Sequence, residues 1–123
     1  MSDSVIERDF LIEGREPADL SPLEEQLVAV MQSVYDPELP LPIWDLGLIY
    51  GWTIAPDGGG ADVTVRMTLT APNCPAAETL PAEVEQGVNA VEGVARAHVE
   101  IVFTPPFSLE MLTEEARLTL GLA

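Results

Sequence analysis

The sequence predicts an α/β (α+β) domain, a two-layer sandwich in which helices cover a small mixed sheet. Three observations carry this. Two segments have the apolar period of a helix, Leu23–Val34 and Leu80–Val91. Three others alternate apolar and polar residues as half-buried strands do, around Leu46–Ile54, Val63–Leu69 and Ala95–Phe103. Their order, with a short terminal helix, is α-β-β-α-β-α, and three amphipathic strands need cover on one face.

Residues 1–20 carry acidic residues, two arginines and no sustained period. They read as a mobile acidic tail, with the patch Phe10-Leu11-Ile12 able to dock on the domain. A single domain is expected over 21–123. Ser21-Pro22-Leu23-Glu24 starts it as a helix: serine caps, proline suits the first helical position and Glu24 closes a capping box. Leu23, Leu27, Val30, Met31 and Val34 share one face. Pro37 keeps Asp36 out of the α region, so the helix ends by Tyr35. Asp36-Pro37-Glu38-Leu39-Pro40-Leu41-Pro42 follows as a stiff extended loop.

Leu46, Leu48, Tyr50, Trp52 and Ile54 form the first strand pattern. Pro56-Asp57-Gly58-Gly59-Gly60 is the turn of a hairpin, and Val63, Val65, Met67 and Leu69 alternate with polar residues after it. No Gly-Lys-Ser/Thr follows the glycines, so they form no phosphate loop. Thr70-Ala71-Pro72-Asn73-Cys74-Pro75 is a loop into the second helix, which runs to about Ala90 and has Pro81 as a local conflict. Ala95–Phe103 is long enough downstream for a crossover, so its strand is expected parallel to the second. Thr104-Pro105-Pro106-Phe107 ends it, and Leu109–Leu120 reads as a terminal helix.

Charge and composition narrow the function. The 123 residues hold 5 Lys+Arg, all arginine, against 21 Asp+Glu, a net charge of −16. There is no basic stripe to neutralise phosphates, which argues against a nucleic-acid partner and against an anionic membrane. With one cysteine there is no internal disulfide framework and no four-thiolate metal site in one chain. The start lacks the basic and apolar regions of a signal peptide, and no apolar stretch reaches the length of a membrane span. A reducing, cytoplasmic location is expected.

Cys74 is the one soft nucleophile. It stands between two prolines beside a helix start, where free N–H groups and the dipole favour a thiolate, the form that metals and iron–sulfur clusters need. The bland alternative is a small buried apolar residue. Asp36 and Glu38 offer two carboxylates on a stiff loop, for a partner, a loop amide or a hard ligand; turn capping is the structural alternative. Thr68 and Thr70 could orient a bound group or simply finish a strand's polar face. Asp45 reads as structural beside Gly47, and His98 as exposed on the polar side of its strand.

Asp36-Pro37-Glu38-Leu39-Pro40, Ile43-Trp44-Asp45-Leu46-Gly47-Leu48-Ile49-Tyr50, Met67-Thr68-Leu69-Thr70 and Cys74-Pro75, in that order, resemble the metal–sulfur cluster assembly factor family, also called MIP-eighteen-like. The resemblance runs from about Pro22 to Phe103. Thr104-Pro105-Pro106-Phe107 and Glu110-Met111-Leu112-Thr113-Glu114-Glu115-Ala116-Arg117, with Leu120-Gly121-Leu122, is similar to the bacterial SufT group; the PaaD group is more distant. Pro42 stands where relatives commonly carry asparagine, and Phe107 where many carry tryptophan.

The resemblance implies the same two-layer fold and an auxiliary, non-catalytic role in assembling iron–sulfur clusters or delivering them to client apoproteins. Cys74 corresponds to the family's cysteine and is the implied thiolate ligand, with Asp36, Glu38, Thr68 and Thr70 around a transient cluster. Implied partners are assembly proteins, clients and a second copy of the chain, since one thiolate does not hold a cluster alone. The competing reading is a protein-binding adaptor, PaaD-like, with no metal. A thiol enzyme ranks last, because nothing in the sequence pairs a base with Cys74.

Overall fold

The computed structural model describes residues 5–14, 17–70 and 76–121. Four strands form one sheet in the order β1-β2-β3-β4: Ile6–Asp9, Ile49–Asp57, Gly60–Met67 and Val94–Ile101. The helices are α1 (Phe10–Glu13), α2 (Pro22–Ser33), α3 (Ala76–Asn89) and α4 (Glu114–Thr119), with a 3-10 turn at Leu109–Met111. β1, β2 and β3 are antiparallel neighbours, and β4 joins β3 in parallel through α3, as the long connection predicts. No helix among the described residues is long and apolar enough to cross a membrane.

The core lies between α2, α3 and one face of the sheet. Leu27 and Met31 of α2 meet Leu80, Val84 and Val88 of α3 and the inward residues Val63, Val65 and Met67 of β3. The other face of β3 presents Asp62, Thr64 and Arg66, all half-buried. Hence the strict alternation seen in the sequence becomes a sandwich of two layers. The helices approach closely at Gly87, where a Cβ would stand 2.8 Å from Val30 Cγ1. Pro81 sits inside α3 and costs it a backbone bond, yet buried Leu80 and Val84 on either side hold the helix to the core.

Three expectations are corrected. The mobile acidic tail expected over 1–20 does not describe residues 6–13. Ile6–Asp9 pairs with β2, Arg8 opposite Trp52, and Phe10 is buried. The Phe10 ring packs edge-on against Trp44 and Trp52, at 5.3 and 4.9 Å between centroids. Second, the first long strand starts at Ile49, not Leu46. Leu46 N–H bonds to Pro42 O at 3.1 Å, and Gly47, at φ 78°, bonds to Trp44 O at 3.1 Å, so this stretch is a turn tucked under the core. A bulge between Ile49 and Gly51 then puts Ile49 and Trp52 on the same buried side despite their odd spacing. Third, Leu109–Leu120 is not one helix: the 3-10 turn ends before Thr113, which caps α4 through its hydroxyl to Ala116 N–H at 3.1 Å.

Hydrogen bonds tie the C-terminal segment to β2 and to the turn before it. Tyr50 donates its hydroxyl to Pro105 O at 2.7 Å, and Thr113 N–H reaches Asp45 O at 2.9 Å.

Candidate functional site

The site builds outward from the loop after α2. Val34 O accepts Ile43 N–H at 2.8 Å and Asp36 N–H reaches Leu41 O at 3.1 Å, so the proline-rich segment folds back as a tight, closed loop. Inside it Asp36 is buried, 3% exposed. Its Oδ1 accepts two backbone N–H groups, Glu38 at 2.7 Å and Leu39 at 3.0 Å, which is the turn chemistry that aspartate before proline suggests. Its Oδ2 is also buried and, among the described residues, has no hydrogen-bond partner. A carboxylate oxygen without a partner is costly in such a place.

Glu38, next along the loop, meets the end of β3. Thr70 Oγ1 donates to Glu38 Oε1 at 3.4 Å on the surface. Thr68, one pleat earlier, is fully buried. Its N–H bonds to Leu48 O at 2.8 Å, while its hydroxyl is a second buried polar atom with no partner among the described residues. The structure thus brings together Asp36, Glu38 and Thr70 of the expected set, with Thr68 beneath Thr70 on the chain. Cys74 lies outside the described residues, four positions after Thr70 and two before the start of α3 at Ala76. His98 is apart from this group: it is half-exposed on β4, 3.5 Å from Asp62 Oδ1. Among the described residues, no three His, Cys, Asp or Glu side chains converge as metal ligands do.

Sequence reasoning missed two features. Beside Thr70 lies a groove of about 350 Å³ lined by Leu69, Thr70, Phe103, Pro106 and Phe107. Phe103 is 48% exposed there, a large apolar side chain kept at the surface. The sequence signal was present, since Phe103 and Phe107 flank two prolines that stop β4 and stiffen the rim. The other feature is a buried polar network under the sheet. Glu24 is fully buried and takes Arg8 Nε–H at 2.6 Å, Trp52 Nε1–H at 2.9 Å and Ser21 N–H at 3.0 Å. Burial pushes the Glu24 carboxyl up, but Arg8, Ser21 and Trp52 outweigh it and hold it at about 2. The hydrogen bond that Arg8 donates to Glu24 in turn raises the Arg8 pKa against the opposing effect of burial. This network carries no reactive group; it locks β1 and α2 to β2.

A family model described as iron-sulfur cluster assembly protein matches residues 24–101. A Porphyromonas gingivalis protein named Fe-S protein maturation auxiliary factor is 46% identical over 98 residues, covering 80% of this chain and 90% of that protein. The Staphylococcus aureus Fe-S protein maturation auxiliary factor SufT is 32% identical over 90 residues, covering 73% of this chain and 99% of that one. The crystal structure of a domain of unknown function from Bacillus anthracis superimposes with a TM-score of 0.71 at 31% identity, over 82% of this chain and 93% of that chain. The matched span holds the Asp36 loop, Thr68, Thr70 and Cys74. On this agreement of sequence and fold, the chain belongs to the iron-sulfur cluster assembly protein family.

Proposed function

We propose that the chain is a cytoplasmic, non-catalytic auxiliary factor that receives an iron–sulfur cluster as cargo and passes it to client apoproteins, with Cys74 as its thiolate ligand. Membership of the family and the names of the relatives support the cluster-related role. One observation from the chain itself carries the reading further: the Asp36–Glu38 loop is hydrogen-bonded to Thr70, on the connection that leads to Cys74. That contact ties the acidic loop to Thr70, four positions before Cys74 in the sequence. Asp36 Oδ2, buried with no partner among the described residues, is a group that gains from a proton donor or a cation brought by the cargo.

One thiolate leaves most positions of a cluster open, so the remaining ligands come from the donor or the client. Such a cluster is held weakly at each end, which suits hand-over rather than storage. The apolar groove beside Thr70 favours a second reading, an adaptor that docks proteins and binds no metal. A cell-based comparison separates the two. With Cys74→Ser in place of the natural residue, iron–sulfur enzyme activities fall while the protein level stays the same. Unchanged activities in the variant strain favour the adaptor and reject the thiolate role.

A further inference from the structure

The sheet ends at β4, and among the described residues no strand lies beyond it. Its pairing with β3 fixes which backbone groups remain. Val102 N–H bonds to Met67 O at 2.8 Å, and Met67 stands opposite Ile101. In a parallel ladder one residue turns N–H and C=O toward its neighbour strand, and the next turns both away. Arg96, His98 and Glu100 therefore bond toward β3, and Ala97, Val99 and Ile101 turn their backbone groups outward. The side chains of Arg96, His98 and Glu100 stand exposed on the open face of the sheet, while Ala97, Val99 and Ile101 are more buried.

We propose that this edge pairs with the same edge of a second copy, β4 to β4 and antiparallel, about a two-fold axis at His98. Antiparallel strands exchange hydrogen bonds between residues that both turn outward, so Ala97 of each copy pairs with Val99 of the other. In that register Arg96 of each copy lies directly opposite Glu100 of the other. These are non-hydrogen-bonded positions, where opposed side chains come closest. Two Arg–Glu pairs form across the axis. The neighbouring registers of the same parity give no Arg–Glu pair: one sets Arg96 against His98, the other sets His98 against Glu100 and leaves Arg96 opposite Val102.

Charge also selects this edge. The chain has 5 Lys+Arg against 21 Asp+Glu, so two copies repel over most of their surface. Arg96 and His98 both stand on β4, and no proline or inward charge blocks its ladder. The bonds that Arg96 and His98 make now, to Asp57 at 3.3 Å and Asp62 at 3.5 Å, run along the open face and leave the outer edge clear. A two-fold axis normal to the sheet keeps both α3 helices on one side, flanking the seam.

Analytical ultracentrifugation of the full chain, over a wide concentration range at low salt, tests the pairing. The wild type is expected as a reversible dimer. Arg96→Glu and Glu100→Arg each set like charges across the axis twice, and each weakens the dimer by about tenfold or more. The double variant, with the charges exchanged, recovers it. Both side chains are on the surface, and circular dichroism checks that each variant folds. A wild type that stays monomeric overturns the proposal and leaves the edge to a strand of a different protein. A dimer indifferent to both single variants, or one that the double variant fails to restore, overturns it as well.

Discussion

The indole N–H of Trp52 donates to a carboxylate oxygen of Glu24 at 2.9 Å, with both side chains fully buried. The same oxygen takes Arg8 Nε–H at 2.6 Å, so one carboxylate joins the central strand, the first long helix and the edge strand. Such a group stabilises only while every partner is in place. Glu24→Ala leaves Arg8 Nε–H and the Trp52 N–H without their acceptor, while Arg8 keeps Glu13 and Asp19 at 3.2 Å, and is expected to cost about 1–3 kcal/mol. Urea denaturation measures it.

The same carboxylate gives the fold a pH dependence of known sign. Its folded pKa, about 2, lies below the ordinary value of 4.5. A depressed carboxyl stabilises above its unfolded pKa, and that contribution is lost as pH falls from about 4.5 toward 2. It amounts to on the order of 3 kcal/mol. Acid titration of stability in wild type and Glu24→Gln checks this: the variant is less stable at neutral pH and loses less on acidification.

Gly51 is where β1 and β3 both reach across β2. A Cβ there would fall on the carbonyl oxygen of Arg8 and stand 2.6 Å from Arg66 Nη2, which itself donates to that carbonyl at 2.8 Å. Gly51→Ala is expected to cost about 1–3 kcal/mol and to release β1 before the rest of the sheet. Amide hydrogen exchange reads this as faster exchange in Ile6–Asp9 with β3 still protected.

Asp36 separates holding the loop from handling the cargo. Asp36→Ala removes the acceptor for Glu38 and Leu39 N–H and is expected to destabilise by about 1–3 kcal/mol. Asp36→Asn can keep that acceptor and changes the oxygen that has no partner. It is expected to stay folded, with a melting temperature near wild type, and to transfer cluster several-fold more slowly. Transfer at the wild-type rate in a folded Asp36→Asn contradicts the role given to Oδ2.

Local signals were readable in the sequence because local chemistry made them. The Ser21–Glu24 capping box forms as written, with Glu24 N–H on Ser21 Oγ at 3.2 Å. The alternation around Val63 became β3, parallel to β4 through α3. What stayed hidden was set by tertiary contacts. Four residues are too few to show a strand period, so β1 is held by Trp52 and Glu24, and by Phe10 just after it packing on Trp44, rather than by its own pattern. Leu46 and Leu48 alternate like strand residues but are buried by a turn. In the site, the Asp36 turn was legible from the proline after it. The partnerless second oxygen and the contact of Glu38 with Thr70 depend on loops 32 residues apart meeting, which no short pattern encodes.

The most direct test is transfer itself. The chain is reconstituted anaerobically with iron, sulfide and a small thiol that fills the open cluster positions, followed by visible absorption, and mixed with an apoprotein whose activity needs a cluster. Wild type is expected to show sulfur-to-iron charge-transfer bands and to activate the apoprotein. Folded Cys74→Ser is expected to do neither. Bands and activation of wild-type strength from the serine variant would show that the thiol is not the point of attachment.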